Sequence, residues 1–266
     1  MTRIKRVRPM VGILQAPQGQ ISPRESLLCG AGDSHVGKVR TSNEDVLLLE
    51  PALGLYAVLD GMGGASAGDV AARLACEVIR DVVKQNRTRL APRELLGAAI
   101  TAASSAVLSD AQRHHDRHGM GTTVVACLVA ARGVVVAHVG DSRAYLWRDS
   151  QLQSLTRDHT VVQDLVDRGV MSVAAAARHP YRSVLSRNLG AKSEPRVDSL
   201  DLELRSGDRL LLCSDGLYSY ATVDAIQYLL GSGRSPKDTA HDLIELALNG
   251  GGGDNVSVVV IEASRS

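Results

Sequence analysis

Phenylalanine is absent from this 266-residue chain, and the remaining aromatics are few: six Tyr and one Trp. A core without Phe has to be assembled from Leu, Val, Ile and Ala. A surface that stacks nucleic-acid bases on aromatic rings has almost nothing to be made from. An excess of one charge is also missing. The 30 Lys and Arg nearly balance 29 Asp and Glu, leaving a formal net charge of +1. No basic field therefore marks a nucleic-acid partner. Apolar runs all fall short of the ~18–20 residues that a membrane-spanning helix needs. Cysteine is limited to Cys29, Cys76, Cys127 and Cys213, with no CxxC pair, which argues against a zinc knuckle. These thiols are expected to be buried and reduced, which fits a cytoplasmic protein. At the N-terminus, Arg3, Lys5, Arg6 and Arg8 precede only a short apolar stretch, approached through Pro9, so no signal peptide is expected.

What is present reads as one globular unit. Hydrophobic residues make up 44% of the chain and charged residues 22%, an ordinary globular balance. Residues 1–26 are rich in Pro, Gln and Arg without a period, and are expected as a flexible basic extension. From residue 27 to 266 a single domain is expected. Short β-branched runs at 45–50, 54–59, 122–130, 134–139, 144–148, 209–213 and 256–261 predict strands. Their near-continuous apolar character implies that both faces are covered. Alanine-rich stretches at 65–84 and 92–114 predict long helices, the second with Pro92 in its first turn. Thr222 and Ser235 predict N-caps, the latter followed by Pro236. Strands and helices come in groups and not in alternation, so the fold class is α+β, sheets face to face with helices outside. Residues 157–190, charged and broken by Gly169 and Pro180, interrupt the strand series as a flap insertion.

Four motifs place aspartate beside glycine next to a predicted strand: Asp60-Gly61, Gly140-Asp141, Asp215-Gly216 and Gly253-Asp254. Such pairs also make ordinary turns, and Gly207-Asp208 is assigned to a turn alone. The four differ in that the ends of buried strands can converge in space. Carboxylates brought together repel unless cations neutralise them. A ligand set of oxygens without His or Cys selects hard ions such as Mg²⁺ or Mn²⁺. Upstream, Arg40 precedes Glu44 and Asp45, and its planar guanidinium suits bidentate phosphate binding.

Six stretches, in this order, resemble the metal-dependent protein phosphatases of type 2C (PPM), bacterial branch. They are Val39-Arg40-Thr41-Ser42-Asn43-Glu44-Asp45; Asp60-Gly61-Met62-Gly63-Gly64 with Gly68-Asp69; Gly119-Met120-Gly121-Thr122-Thr123; Gly140-Asp141-Ser142-Arg143; Ser214-Asp215-Gly216-Leu217; and Gly253-Asp254-Asn255-Val256. The resemblance spans about residues 28–262 and extends to His179-Pro180-Tyr181-Arg182-Ser183 in the flap. It implies a four-layer αββα sandwich of two antiparallel sheets flanked by helix pairs. It also implies hydrolysis of phosphoserine or phosphothreonine by a metal-activated water, opposing a Ser/Thr protein kinase. Two Mn²⁺ or Mg²⁺ ions would be essential, with a weaker third. Asp60 would bridge the pair with the Gly61 carbonyl on one ion, Asp215 and Asp254 would complete the other, and Asp141 would hold the third. Glu44 and Asp45 would act through metal-bound water, and Arg40 would hold the substrate phosphate. Met62 stands where some relatives carry a candidate general-acid His. A metal-bound water is then the preferred proton donor, with His159 of the flap a lesser candidate. The implied partners are phosphorylated proteins, including a Ser/Thr kinase or its targets, met by a monomer. Two other readings stay open: a catalytically inactive phosphoprotein-binding relative, and a phosphatase of a small phosphorylated metabolite.

Overall fold

Alternation inside the apolar runs decides the layers. The computed structural model describes residues 28–63, 67–131 and 133–263. The expected extension, Gly64 and the predicted helix start at 65 lie outside the described residues. On strand β3 (Leu55–Met62), Tyr56 and Val58 face one apolar layer while Leu55, Ala57 and Leu59 face another. β10 (Arg209–Cys213) divides in the same way, with Leu210 and Leu212 on one side and Leu211 and Cys213 on the other. Leu55–Leu59 of β3 and all of β10 are buried on both faces, so period-two alternation is invisible in their composition.

Two antiparallel sheets result. The first has strand order β1 (Leu28–His35), β11 (Val256–Ala263), β10, β7 (Arg143–Arg148), β8 (Gln151–Ser154). The second has β2 (Asp45–Glu50), β3, β5 (Val124–Ala130), β6 (Gly133–Val139), β9 (Asp198–Leu202), with the two-residue β4 (Gly121–Thr122) pairing the end of β3. The layer between the sheets holds Tyr56, Val58, Val125, Leu212 and Ile261. Helices α1 (Ala67–Asn86) and α2 (Pro92–Arg113) cover the outer face of the β3 sheet through Ile79, Leu96 and Ile100. α6 (Val223–Leu230) and α7 (Pro236–Asn249) cover the β10 sheet through Ile226, Leu243 and Ala247. Trp147, the sole tryptophan, lies partly buried on β7 against this helix layer. The four-layer α+β sandwich read from the chain is the fold observed. No described helix is long and apolar enough to cross a membrane.

Local chemistry sets the helix ends. Thr222 and Ser235 accept from Ala225 N and Asp238 N, as expected of N-caps. In the flap, Thr160 and Ser172 cap α3 (Val161–Asp167) and α4 (Val173–Ala176) in the same manner.

Three expectations need correction. The 54–59 strand continues to Met62, because β4 extends the ladder beyond Leu59 with Gly61 opposite Thr122. The 122–130 run splits at Thr123, whose Oγ1 accepts from Asp60 N and whose N–H donates to Asp60 O. Cys76, Cys127 and Cys213 are buried thiols, but Cys29 is exposed, because β1 is the outermost strand of its sheet.

Candidate metal centre

Register brings the acidic residues to one end of the sandwich. Asp45 and Asp60 sit directly opposite each other in the β2–β3 ladder. In the other sheet, Cys213 of β10 pairs with Arg143 of β7 and with Val258 of β11. Asp215 follows that end of β10 as the first residue of α5 (Asp215–Tyr218), while Asp141 and Asp254 each stand two residues before β7 and β11. Asp141, Asp215 and Asp254 line one cleft of about 530 Å³ that runs on beneath the flap, past Val162, Val173 and Arg182.

Burial and mutual repulsion hold the cluster's protons. Burial, with the charges of Asp215 and Asp254, pushes the Asp45 carboxyl up to about 7 against the hydrogen bond from Ser214. Asp141 rises to about 7 by burial and the charge of Asp215, and Asp215 to about 6 by burial and the charge of Asp254. Asp60 is driven well above the carboxylate range, chiefly by burial and then by Asp45. Glu44 is raised by burial as well. Asp60 lies close enough to Asp215 for a side-chain hydrogen bond between them. One Asp45 oxygen accepts from the Ser214 hydroxyl at 2.8 Å, while its other oxygen, Oδ1, is buried without a partner. Arg40 is a nearby counter-charge: its Nη2 donates to Asp254 Oδ2 at 2.9 Å, in a largely exposed pair. Clustered oxygen donors, an orphaned buried oxygen and too little positive charge among the described residues fit hard divalent cations.

Residues that aim these carboxylates come from several elements. Gly61 is packed so tightly that a Cβ there would lie 2.2 Å from the Gly68 carbonyl oxygen, and its N–H donates to Glu44 O. Thr123 holds Asp60 N and also shares a 2.7 Å hydrogen bond with Ser142, joining the Asp60 strand to the Asp141 turn. Tyr218 donates its hydroxyl to Asp141 O. Arg143 makes a two-pronged bond to Asp158 and stacks over Tyr218 at 3.5 Å, so it is not free for substrate.

Asn255 has a role that motif reading missed. Its Oδ1 accepts from Glu44 N, and its Nδ2 donates to Val36 O and Ser42 O. It thereby clamps the loop that carries Arg40. The signal available in sequence was an Asn beside a candidate ligand, since Asn side chains readily bond nearby backbone. Asp208 is buried in an ion pair with Arg148 at 2.5 Å, consistent with its assignment to a turn outside the site.

His159 does not join the site. It is fully buried, and its imidazole is pulled down to about 4 by burial and by His138, so it stays neutral. Together with His138 and Asp198 it forms a trio whose ligand-type atoms all lie within 4.8 Å. Arg187 Nη1 already lies 3.1 Å from His159 Nε2 and from Asp198 Oδ1.

A family profile described as protein phosphatase 2C matches residues 31–237. The chain is 42% identical over 237 residues to the "Serine/threonine protein phosphatase PstP" of Mycobacterium tuberculosis, covering 87% of this chain and 44% of that protein. It thus spans less than half the length of that relative. It is 36% identical to the "Serine/threonine phosphatase stp" of Listeria welshimeri, covering 85% of this chain and 92% of that protein. Among solved structures, the catalytic domain of PstP "in complex with 2 Manganese ions" superposes with a TM-score of 0.79 at 38% identity, over 90% of this chain and 99% of that one.

Proposed function

This chain belongs to the protein phosphatase 2C family, and from that premise we propose that it removes phosphate from phosphoserine and phosphothreonine in proteins, using Mn²⁺ or Mg²⁺ held by its carboxylate cluster. The observation that carries the reading is the convergence of Asp60, Asp141, Asp215 and Asp254 at one end of the sandwich, with raised carboxyl pKa values at Asp60, Asp141 and Asp215 and no sufficient counter-charge among the described residues.

Asp60, Asp215 and Asp254, with the Gly61 carbonyl, would hold an essential pair of cations, and Asp141 a weaker third with Asp215 shared. When bound, the cations would supply charge neutralisation for the phosphate oxygens and a water acidic enough to ionise near neutral pH. Asp45 supports the cluster from behind, fixed by Ser214, and Glu44 anchors Gly61 through its backbone oxygen. Arg40 offers two parallel N–H groups to the phosphate oxygens and holds the phosphorus in line for attack. Asn255 keeps the Arg40 loop in place. The flap-roofed extension of the cleft supports a protein substrate over a small phosphorylated metabolite. Retention of every acidic ligand supports an enzyme over an inactive binding relative. Proteins phosphorylated by a Ser/Thr kinase, or the kinase itself, are the substrates this reading names, met by a cytoplasmic monomer whose single catalytic domain covers 27–266.

The test compares phosphoserine, phosphothreonine and phosphotyrosine peptides, and p-nitrophenyl phosphate, with and without added Mn²⁺ or Mg²⁺. Metal-dependent hydrolysis that favours the first two peptides is expected. Hydrolysis that persists unchanged in EDTA, or none with either metal, overturns the reading. Asp141→Ala should retain the tighter cations yet lose rate, and wild-type turnover in that variant would remove the third-ion role.

A further inference from the structure

The turn that presents Asp141 is gripped by a residue the proposed function does not use. Gly140 has φ +110°, and a Cβ there would come within 2.6 Å of the Thr123 side chain. A glycine turn has no side chain of its own to fix its orientation, so the restraint has to come from outside. His159 supplies it twice: its main-chain N–H donates to Gly140 O at 2.9 Å, and its Nδ1 accepts from Gly140 N–H at 3.1 Å.

That second bond fixes the tautomer. With Nδ1 accepting, the single ring hydrogen of a neutral imidazole sits on Nε2. Nε2 therefore donates to Asp198 Oδ2 at 3.1 Å on β9. Arg187 also carries hydrogens, so its partner in this group is Asp198 Oδ1, at 3.1 Å, and not the ring. A metal ion does not suit the trio. Nδ1 is taken, Nε2 is protonated, and the guanidinium already supplies the positive charge. His138 and His159 are stacked with ring centroids 4.5 Å apart and planes 19° apart. Their in-plane lone pairs therefore run side by side and do not converge. The trio is a polar brace. It also reaches the flap, because the His159 carbonyl accepts from Ser186 N at 2.9 Å and Thr160 bridges to Leu185. The far end of the flap is pinned too, through the Leu189–Thr122 bridge beside Gly61.

We infer that His159 is a positioning residue for the reaction: it fixes the Gly140–Asp141 turn and couples the outgoing arm of the flap to the Asp141 cation site. The inference rests on the assignment of Asp141 to the weaker ion in the proposed function. It adds a residue that touches neither substrate nor cation. It also gives the flap a mechanical link to the centre, since a protein seated beneath the flap would load Ser186 and Arg187 and so the turn.

Mn²⁺ titration of the full chain followed by electron paramagnetic resonance provides a readout independent of turnover. His159→Ala should weaken the lower-affinity class of Mn²⁺ by about tenfold, the scale of one lost hydrogen bond to a buried group, and leave the tighter class unchanged. It should lower kcat while leaving KM for p-nitrophenyl phosphate unchanged. His159→Gln can accept from Gly140 N–H and donate toward Asp198, and should restore both quantities. If His159→Ala folds poorly, Asp198→Ala at the partly exposed end of the brace should move the weaker class in the same direction. Variants that lose thermal stability but titrate like the wild type would overturn the inference and leave the proposed function standing. A wild-type chain with no metal-dependent hydrolysis, or with no weaker Mn²⁺ class, would instead strike at the proposed function, and the inference would fall with it.

Discussion

Arg40 cannot hold Asp254 and a substrate phosphate with the same nitrogen. In the structure its Nη2 is on Asp254, and the acidic neighbours Glu44 and Asp215 add to the field that holds its proton. A cation at Asp254 would compete for that carboxylate and leave the guanidinium for phosphate. Arg40→Ala should therefore raise KM for phosphate esters about tenfold or more, the range expected of a lost charge-assisted pair, with a smaller change in kcat. Steady-state kinetics at saturating Mn²⁺ checks this, and unchanged parameters would refute the phosphate role. Asp215→Asn removes a charge from the centre of the cluster while nearly preserving shape. Turnover should fall by at least about 10²–10³-fold, the scale of losing one electrostatic stabiliser, with the circular-dichroism spectrum unchanged.

The elements differ in how plainly they are written in the chain. Ser235 with Pro236 marks the start of α7, and the side chain of Ser235 does accept from Asp238 N. Ser235→Ala should cost about 1 kcal/mol in urea unfolding. Central strands such as β10 are legible because both of their faces are buried and the run stays apolar throughout. β8 was not legible: Gln151, Gln153 and Ser154 carry no apolar pattern. It exists because Asp149 and Ser150 adopt φ 51° and 60°, a two-residue turn that folds the chain back onto β7. β1 was missed as well, since Gly30, Ala31 and Gly32 offer neither bulk nor period. In the centre, the aspartates were legible because each stands beside a strand end. The positioning roles of Asn255, Thr123 and His159 were not, because their work is done on backbone groups: Asn255 reaches Ser42, Thr123 reaches Asp60, and His159 reaches Gly140.

For the molecule as a whole, the cluster makes stability depend on pH. In the metal-free protein Asp45, Asp141 and Asp215 titrate at about 7, 7 and 6, above the ~3.9 of an unfolded Asp. Between those limits the folded state binds more protons than the unfolded state, so stability falls as pH rises. The contribution is complete below pH ~4 and is lost on passing through about 6 to 7. Asp110 and Asp198 are shifted downward, by Arg117 and by His159 respectively, and act only in the acidic range below. His138 and His159, held neutral by burial, oppose the trend below the ~6.5 of an unfolded His, but the raised carboxyls, Asp60 and Glu44 included, outnumber them. The metal-free protein should therefore show a rising Tm as pH is lowered from about 8 to 5. Saturating Mn²⁺ should raise Tm most at the upper end of that range, where the carboxylates are ionised. Calorimetry at several pH values checks both, and a metal-free Tm that climbs with pH would contradict the cluster's electrostatics.

The scarcity of aromatic residues has an optical consequence. Trp147 is the only indole, partly buried against the helix layer, where a Cβ on Gly231 would lie 3.0 Å from its ring. From Arg143, beside the carboxylates, to Trp147 is four steps along β7 of about 3.3 Å each. Fluorescence excited selectively in the indole therefore reports the seating of α6 on its sheet from a single, assignable site. Its emission should redden as that helix layer detaches, while filling of the distant carboxylate cluster leaves it nearly unaltered. Unfolding and ion uptake thus become separable signals in one unlabelled sample.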